Sequence, residues 1–139
     1  MPLAVNWKHI FDIQKSKYWI GKSKDYRDVK PTGFHSEFLR KYIIKEETFL
    51  GPDKNGIYKQ DFVWNGMQKS STFFLKDWSP KKIKTKCMEA YSNGISSPQS
   101  QMQGLIGTTA EGIKIQFWFG YDPKKNIFYI KSIFPYLDL

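Results

Sequence analysis

The chain holds one cysteine, Cys87, and two histidines, His9 and His35, in 139 residues. A lone cysteine excludes an intrachain disulfide. So few sulfur and imidazole donors argue against a structural zinc site. No apolar run approaches the ~18 residues that span a bilayer. Met1-Pro2-Leu3-Ala4-Val5 has no basic segment leading into an apolar one, so no secretory leader is read here. Pro2 directly after Met1 reads as the start of a piece cut from a longer chain. Acidic side chains are scarce: 13 Asp and Glu stand against 22 Lys and Arg. Glu46-Glu47 and the scattered aspartates form no recognisable cluster for paired Mg²⁺, and they are expected to be exposed. No Gly-x-Ser-x-Gly elbow, P-loop or dinucleotide fingerprint occurs.

What remains is basic and aromatic. The net charge is +9 and 17% of residues are Phe, Trp or Tyr. The aromatic share argues against disorder, and the length fits one domain over 1–139. An excess of cations favours a polyanionic partner, nucleic acid first, then an anionic membrane or an acidic protein. Lysines interleave with aromatics in Lys15-Ser16-Lys17-Tyr18-Trp19 and Lys22-Ser23-Lys24-Asp25-Tyr26-Arg27. Such mixtures suit phosphate contact with base stacking; a merely soluble basic surface is the plainer reading.

Val5, Ile10 and Ile13, with Trp7 and Phe11, fall at helical spacing and predict a short amphipathic helix over 5–14, with Asn6 as N-cap. Residues 15–31 read as a mobile basic loop. Gly51-Pro52-Asp53-Lys54-Asn55-Gly56 is a dense turn signal inside a hairpin over 41–64, and Asn65-Gly66 is another turn. Ser79-Pro80 predicts a helix start, and Asn93-Gly94 its end. Ile83, Cys87, Ala90 and Tyr91 make its apolar face, with Cys87 as packing. Residues 95–104 read as a loop, and Leu105-Ile106 as the opening of a strand. Ile113, Ile115, Phe117 and Phe119 alternate as a strand, and 127–134 returns alongside it. The class is therefore α+β, with N-terminal helices packed against a twisted antiparallel β-sheet.

An imidazole changes charge near pH 6.5, so two of them brought together can act as acid and base. Cutting RNA requires a base for the 2′-hydroxyl proton, an acid for the leaving 5′-oxygen, and a cation for the charge on the phosphoryl oxygens. Two histidines and many lysines meet that list. Gly33-Phe34-His35 places one imidazole after a tight turn. Two other readings fit the charge: a non-catalytic RNA-binding module, and a domain whose basic face meets an acidic protein.

Four segments in order, Trp7-Lys8-His9-Ile10-Phe11, Gly33-Phe34-His35, Lys69 before Ser70-Ser71-Thr72-Phe73-Phe74, and Ser132-Ile133-Phe134-Pro135, resemble the EndoU endoribonucleases. The segment Ser71 to Pro80 is most similar to bacterial EndoU toxin domains at the C-termini of large secreted toxins, including contact-dependent growth inhibition proteins. The resemblance implies a barnase-EndoU-colicin-RelE-like fold and a metal-independent endoribonuclease without cofactors. It implies His9 and His35 as the catalytic pair, Lys69 as the phosphate cation, Ser132 at the scissile region or uracil, and Phe134 stacked on the base. His35 is assigned as base and His9 as acid, although the residues alone allow either direction. It further implies RNA of a target cell, tRNA among the candidates, as substrate, action in that cell's cytoplasm, and an immunity protein acidic at its contact face. Two departures stand out. The histidines lie 26 positions apart, which reads as an insertion over 15–31. Phe134 occupies a position where tyrosine is commoner, keeping the ring but not the hydroxyl.

Overall fold

The computed structural model describes residues 4–17, 29–39, 42–95 and 104–139. Its elements are β1 (Ala4–Val5), α1 (Lys8–Phe11), β2 (Ile13–Lys17), β3 (Val29–Gly33), β4 (Ile43–Leu50), β5 (Tyr58–Trp64), β6 (Met67–Phe73), α2 (Pro80–Ile95), β7 (Gly104–Thr108), β8 (Lys114–Asp122) and β9 (Ile127–Pro135). The class is α+β with antiparallel sheets, as the pattern predicts. Among the described residues the strands form three sheets, ordered β1-β9-β8-β7, β2-β3 and β4-β5-β6, and β1 alone pairs in parallel. Among the described residues no helix is long and apolar enough to cross a membrane.

The N-terminal region corrects the helix expected over 5–14. Only Lys8–Phe11 is helical, a single turn. Asn6 does not cap it. Its side-chain amide instead donates to Gln14 Oε1 and to the Lys131 carbonyl, both at 2.9 Å. Strand pairing on either side, β1 with β9 and β2 with β3, prevails over the helical spacing. The loop expected over 15–31 is likewise strand at both ends, since Ile13–Lys17 pairs antiparallel with Val29–Gly33. Its centre, 18–28, lies outside the described residues, as do 96–103 of the loop expected over 95–104.

Elsewhere the local chemistry sets the elements. Asn65 and Gly66 both take positive φ, 50° and 77°, the geometry of a two-residue hairpin turn between β5 and β6. Ser79 Oγ accepts the Lys82 amide at 3.2 Å, capping α2 with Pro80 in its first position. The helix does not stop at Asn93-Gly94 but runs to Ile95. Gly94 serves close packing instead, because a Cβ there would come within 2.7 Å of the Leu105 side chain.

Two apolar clusters hold the layers. Ile83, Cys87 and Ala90 of α2 pack on Leu105, Ile115, Phe117, Ile130 and Ile133 of the four-stranded sheet. Phe34, Tyr58, Phe62 and Phe73 fill the second cluster, beneath the three-stranded sheet. Burial pushes the Cys87 thiol pKa up, which leaves it a packing residue. The site forms where α1, β3, β6 and β9 meet.

Candidate active site

Gly33 brings the two histidine-bearing segments together. Its φ is +85°, and a Cβ would fall 2.5 Å from the His9 carbonyl oxygen, so only glycine fits. The next residues continue the contact by backbone: Phe34 N–H donates to the His9 carbonyl at 2.8 Å, and His35 N–H to the Ile10 carbonyl at 2.6 Å. Phe34 itself has φ 66°. A bulky residue there is strained by ~1–3 kcal/mol. Burial of its ring offsets this, with edge contacts to Tyr42, Phe62 and Phe73 at 4.9, 5.3 and 5.2 Å.

Strand β6 closes the clamp. Ser71 Oγ donates to the Phe34 carbonyl at 2.7 Å, and Phe74 N–H to the His35 carbonyl at 2.8 Å. Thr72 Oγ1 donates to the Pro135 carbonyl at 2.6 Å, tying β6 to β9. His9 is held from the other side, as Asn6 N–H donates to the Ile130 carbonyl at 2.8 Å.

The imidazoles meet at the centre, with Nε2 of His35 3.3 Å from Nε2 of His9 and ring centroids 5.0 Å apart. Their protonation follows from their partners. His35 Nδ1 lies 2.7 Å from the Thr72 carbonyl oxygen, which can only accept. The proton of neutral His35 is therefore on Nδ1, and its Nε2 carries a lone pair. The 3.3 Å contact then requires His9 to donate from Nε2–H. Both rings are held well below the ordinary imidazole value. Burial brings His9 to about 4, with the Lys69 and Lys131 charges adding to it and the Gln14 side chain opposing it. Burial and then the neighbouring His9 bring His35 to about 3. At neutral pH the free site holds two uncharged rings, one with a bare nitrogen and one with an N–H.

These rings open into a cleft of about 410 Å³ that is also lined by Lys69, Ser132 and Phe134. The structure thus brings together all five residues singled out in the sequence. Ser132 and Phe134 share one face of β9, and the Phe134 ring lies 5.7 Å from that of His35. The sequence pattern did not single out Lys59, Ser71, Thr72 or Trp118, which line the cleft too. Trp118 is the cross-strand partner of Ser132. Its place in the alternating strand was visible, but which face of the strand would meet the histidines was not. Thr72 acts through a backbone carbonyl, which no side-chain pattern reveals. Glu46 and Glu47 are exposed, as expected, but Asp53 is not: it is buried and accepts the Asn55 and Ile57 amides at 2.8 and 3.0 Å.

A family profile described as bacterial EndoU nuclease matches residues 8–137. A protein from Bacillus cereus named Toxin is 36% identical over 112 residues, covering 74% of this chain. The match spans 19% of that relative's length. No solved structure matches the chain significantly.

Proposed function

This chain belongs to the bacterial EndoU nuclease family, and from that premise we propose that it is an endoribonuclease that cuts RNA by transesterification, without a metal ion. The observation that carries the mechanism is the imidazole pair, 3.3 Å apart in a cleft shared with Lys69. RNA entering the cleft replaces the contact between the rings. The bare Nε2 of His35 takes the 2′-hydroxyl proton, and the 2′-oxygen attacks phosphorus. Protonated His9 gives its Nε2 proton to the departing 5′-oxygen. The products are a 2′,3′-cyclic phosphate and a 5′-hydroxyl. Lys69 balances the charge gathering on the phosphoryl oxygens, an electrostatic effect worth ~10²–10³-fold. Substrate phosphate also offsets the burial and lysine charge that depress His9, raising its pKa where an acid is needed. Ser132 hydrogen-bonds the base or sugar beside the scissile bond, and Phe134 stacks on that base.

The Bacillus cereus relative bears the name Toxin, and a net charge of +9 suits an RNA substrate. We therefore read the chain as a single nuclease domain of the barnase-EndoU-colicin-RelE kind, carried at the C-terminal end of a larger toxin. It acts on RNA of a target cell, tRNA among its candidates. The producing cell then needs an immunity protein with an acidic contact face.

The test is incubation of the purified protein with tRNA in EDTA, followed by end-group analysis. Cyclic-phosphate and 5′-hydroxyl ends are expected, and both disappear in His9→Ala or His35→Ala. RNA bound in a salt-sensitive manner but left intact would instead identify a non-catalytic binding module.

A further inference from the structure

A second cavity, of about 640 Å³, is lined by Glu37, Phe38, Tyr42, Phe49, Gln60 and Lys76 among others. It shares no lining residue with the catalytic cleft. The two are close in the chain, since Glu37 lies two residues beyond His35 and Gln60 follows Lys59.

Its polar groups are deeply set. Glu37 is 8% exposed and Gln60 is 3% exposed. Glu37 Oε2 accepts the Tyr58 hydroxyl at 2.5 Å and lies 3.9 Å from Lys76 Nζ. The Gln60 side-chain amide makes no hydrogen bond among the described residues and lines the cavity. No buried side-chain polar atom among those residues lacks a partner, so this amide's two donors and one acceptor are open to the cavity. The walls are aromatic. Phe49 stacks on Tyr58 at 5.4 Å with rings 23° apart, and Phe38 is 46% exposed. Aromatic walls around the deeply set Glu37 carboxylate and the open Gln60 amide, with Glu46 and Lys76 also lining the cavity, fit a planar heterocycle with a polar edge.

The donors and acceptors narrow the choice. A carboxylate only accepts. Among the RNA bases, guanine alone sets two N–H donors side by side, N1–H and the 2-amino group. Its neighbouring O6 accepts from an amide N–H. Uracil has one N–H between two carbonyls, and adenine and cytosine each offer one exocyclic amine beside an acceptor. We infer that this cavity binds a guanine base, with Glu37 accepting from N1–H and the 2-amino group, and Gln60 donating to O6. Lys76, two-thirds exposed at the mouth, meets the attached phosphate. On the proposed nuclease reading, the guanine belongs to the RNA being cut, at a nucleotide outside the catalytic cleft.

The test is calorimetric titration of the intact protein with guanosine, adenosine, uridine and cytidine 5′-monophosphates, and with inosine 5′-monophosphate, which lacks the 2-amino group. Guanosine monophosphate is expected to bind roughly tenfold or more tighter than the other four. Glu37→Gln keeps an acceptor for Tyr58 but loses the carboxylate, and should weaken that binding by a similar factor. A readout needing no variant is the Gln60 side-chain amide resonance, which should move on addition of guanosine monophosphate and not of the uridine nucleotide. His35→Ala should bind it as the unaltered protein does. Equal binding of all five nucleotides, an unmoved Gln60 amide, or loss of binding in His35→Ala would overturn the proposal. Selective guanine binding by a protein that leaves RNA intact would sink the nuclease reading and leave this one standing.

Discussion

Around His9 and His35 the chain is held by hydrogen bonds from one backbone to another, whereas beneath α2 it is held by apolar surface. The histidine clamp contains two residues in succession with positive φ, Gly33 and Phe34, and buries two imidazoles. Under α2, Ile83, Cys87, Ala90, Ile115 and Phe117 are fully buried with no polar atom to satisfy beyond one thiol. Gly107 lets the helix come down on β7, as a Cβ there would fall 1.7 Å from the Ala90 carbonyl oxygen. The α2 face supplies folding free energy, at ~25 cal/mol per Å² of apolar surface removed from water. The clamp spends some of that on strain and on uncharged rings, and gains fixed geometry at the site.

Variants on the two sides should therefore separate activity from stability. Lys69→Ala leaves the clamp's backbone bonds alone and should lower kcat/KM ~10²–10³-fold, with a urea midpoint close to that of the unaltered protein. Gly33→Ala should lower activity by ~10²-fold or more, because the added methyl must move the His9 carbonyl and a shift of about 1 Å is enough for that loss. Its stability should fall as well. Ile83→Ala should do the opposite: ~2–5 kcal/mol lost in urea unfolding, with unchanged cleavage per folded molecule. An Ile83→Ala variant that folds normally and cleaves poorly would erase the distinction.

The pH dependence sharpens it further. Catalysis needs one ring protonated and one bare, and both pKa values lie well below 7, at about 4 and about 3. The free enzyme at pH 7 thus holds the working form only as a small fraction, and kcat/KM should rise by up to ~tenfold for each unit from pH 7 to 5. Stability should move the other way. Both folded-state values are lowered, so the unfolded chain, with histidines near 6.5, takes up protons first. The stabilisation is complete above pH 6.5 and declines below it, by ~1–2 kcal/mol per ring at pH 5. Unfolding midpoints at pH 7 and pH 5 measure this, with the double variant His9→Ala, His35→Ala as the reference for the carboxylates.

Signals that act within a few residues were legible in the sequence. Ser79-Pro80 starts α2, Asn65-Gly66 turns β5 into β6, and the alternation of Ile113 to Phe119 marks β8. Signals that depend on partners distant in the chain were not. Strand β2 is mostly polar and β3 contains Pro31, so neither shows an apolar alternation, and each exists because the other pairs with it. Strand β6, Met67–Phe73, is polar from Gln68 to Thr72, and it holds Ser71 and the Thr72 carbonyl that set His35. The site residues could be singled out by their chemistry. The tautomers that give each ring its part could not, because they depend on the carbonyl that β6 delivers.

The central claim is that the two imidazoles share one water-poor site with a defined division of protons. The chain has only two histidines, so ¹⁵N spectra of imidazole-labelled protein, recorded from pH 8 to pH 3, read it directly. Both rings should be neutral at pH 7, with His35 protonated on Nδ1 and His9 on Nε2. Both should titrate well below 6.5, in steps that depend on one another. Two independent titrations near pH 6.5, with mixed tautomers in each ring, would contradict the account.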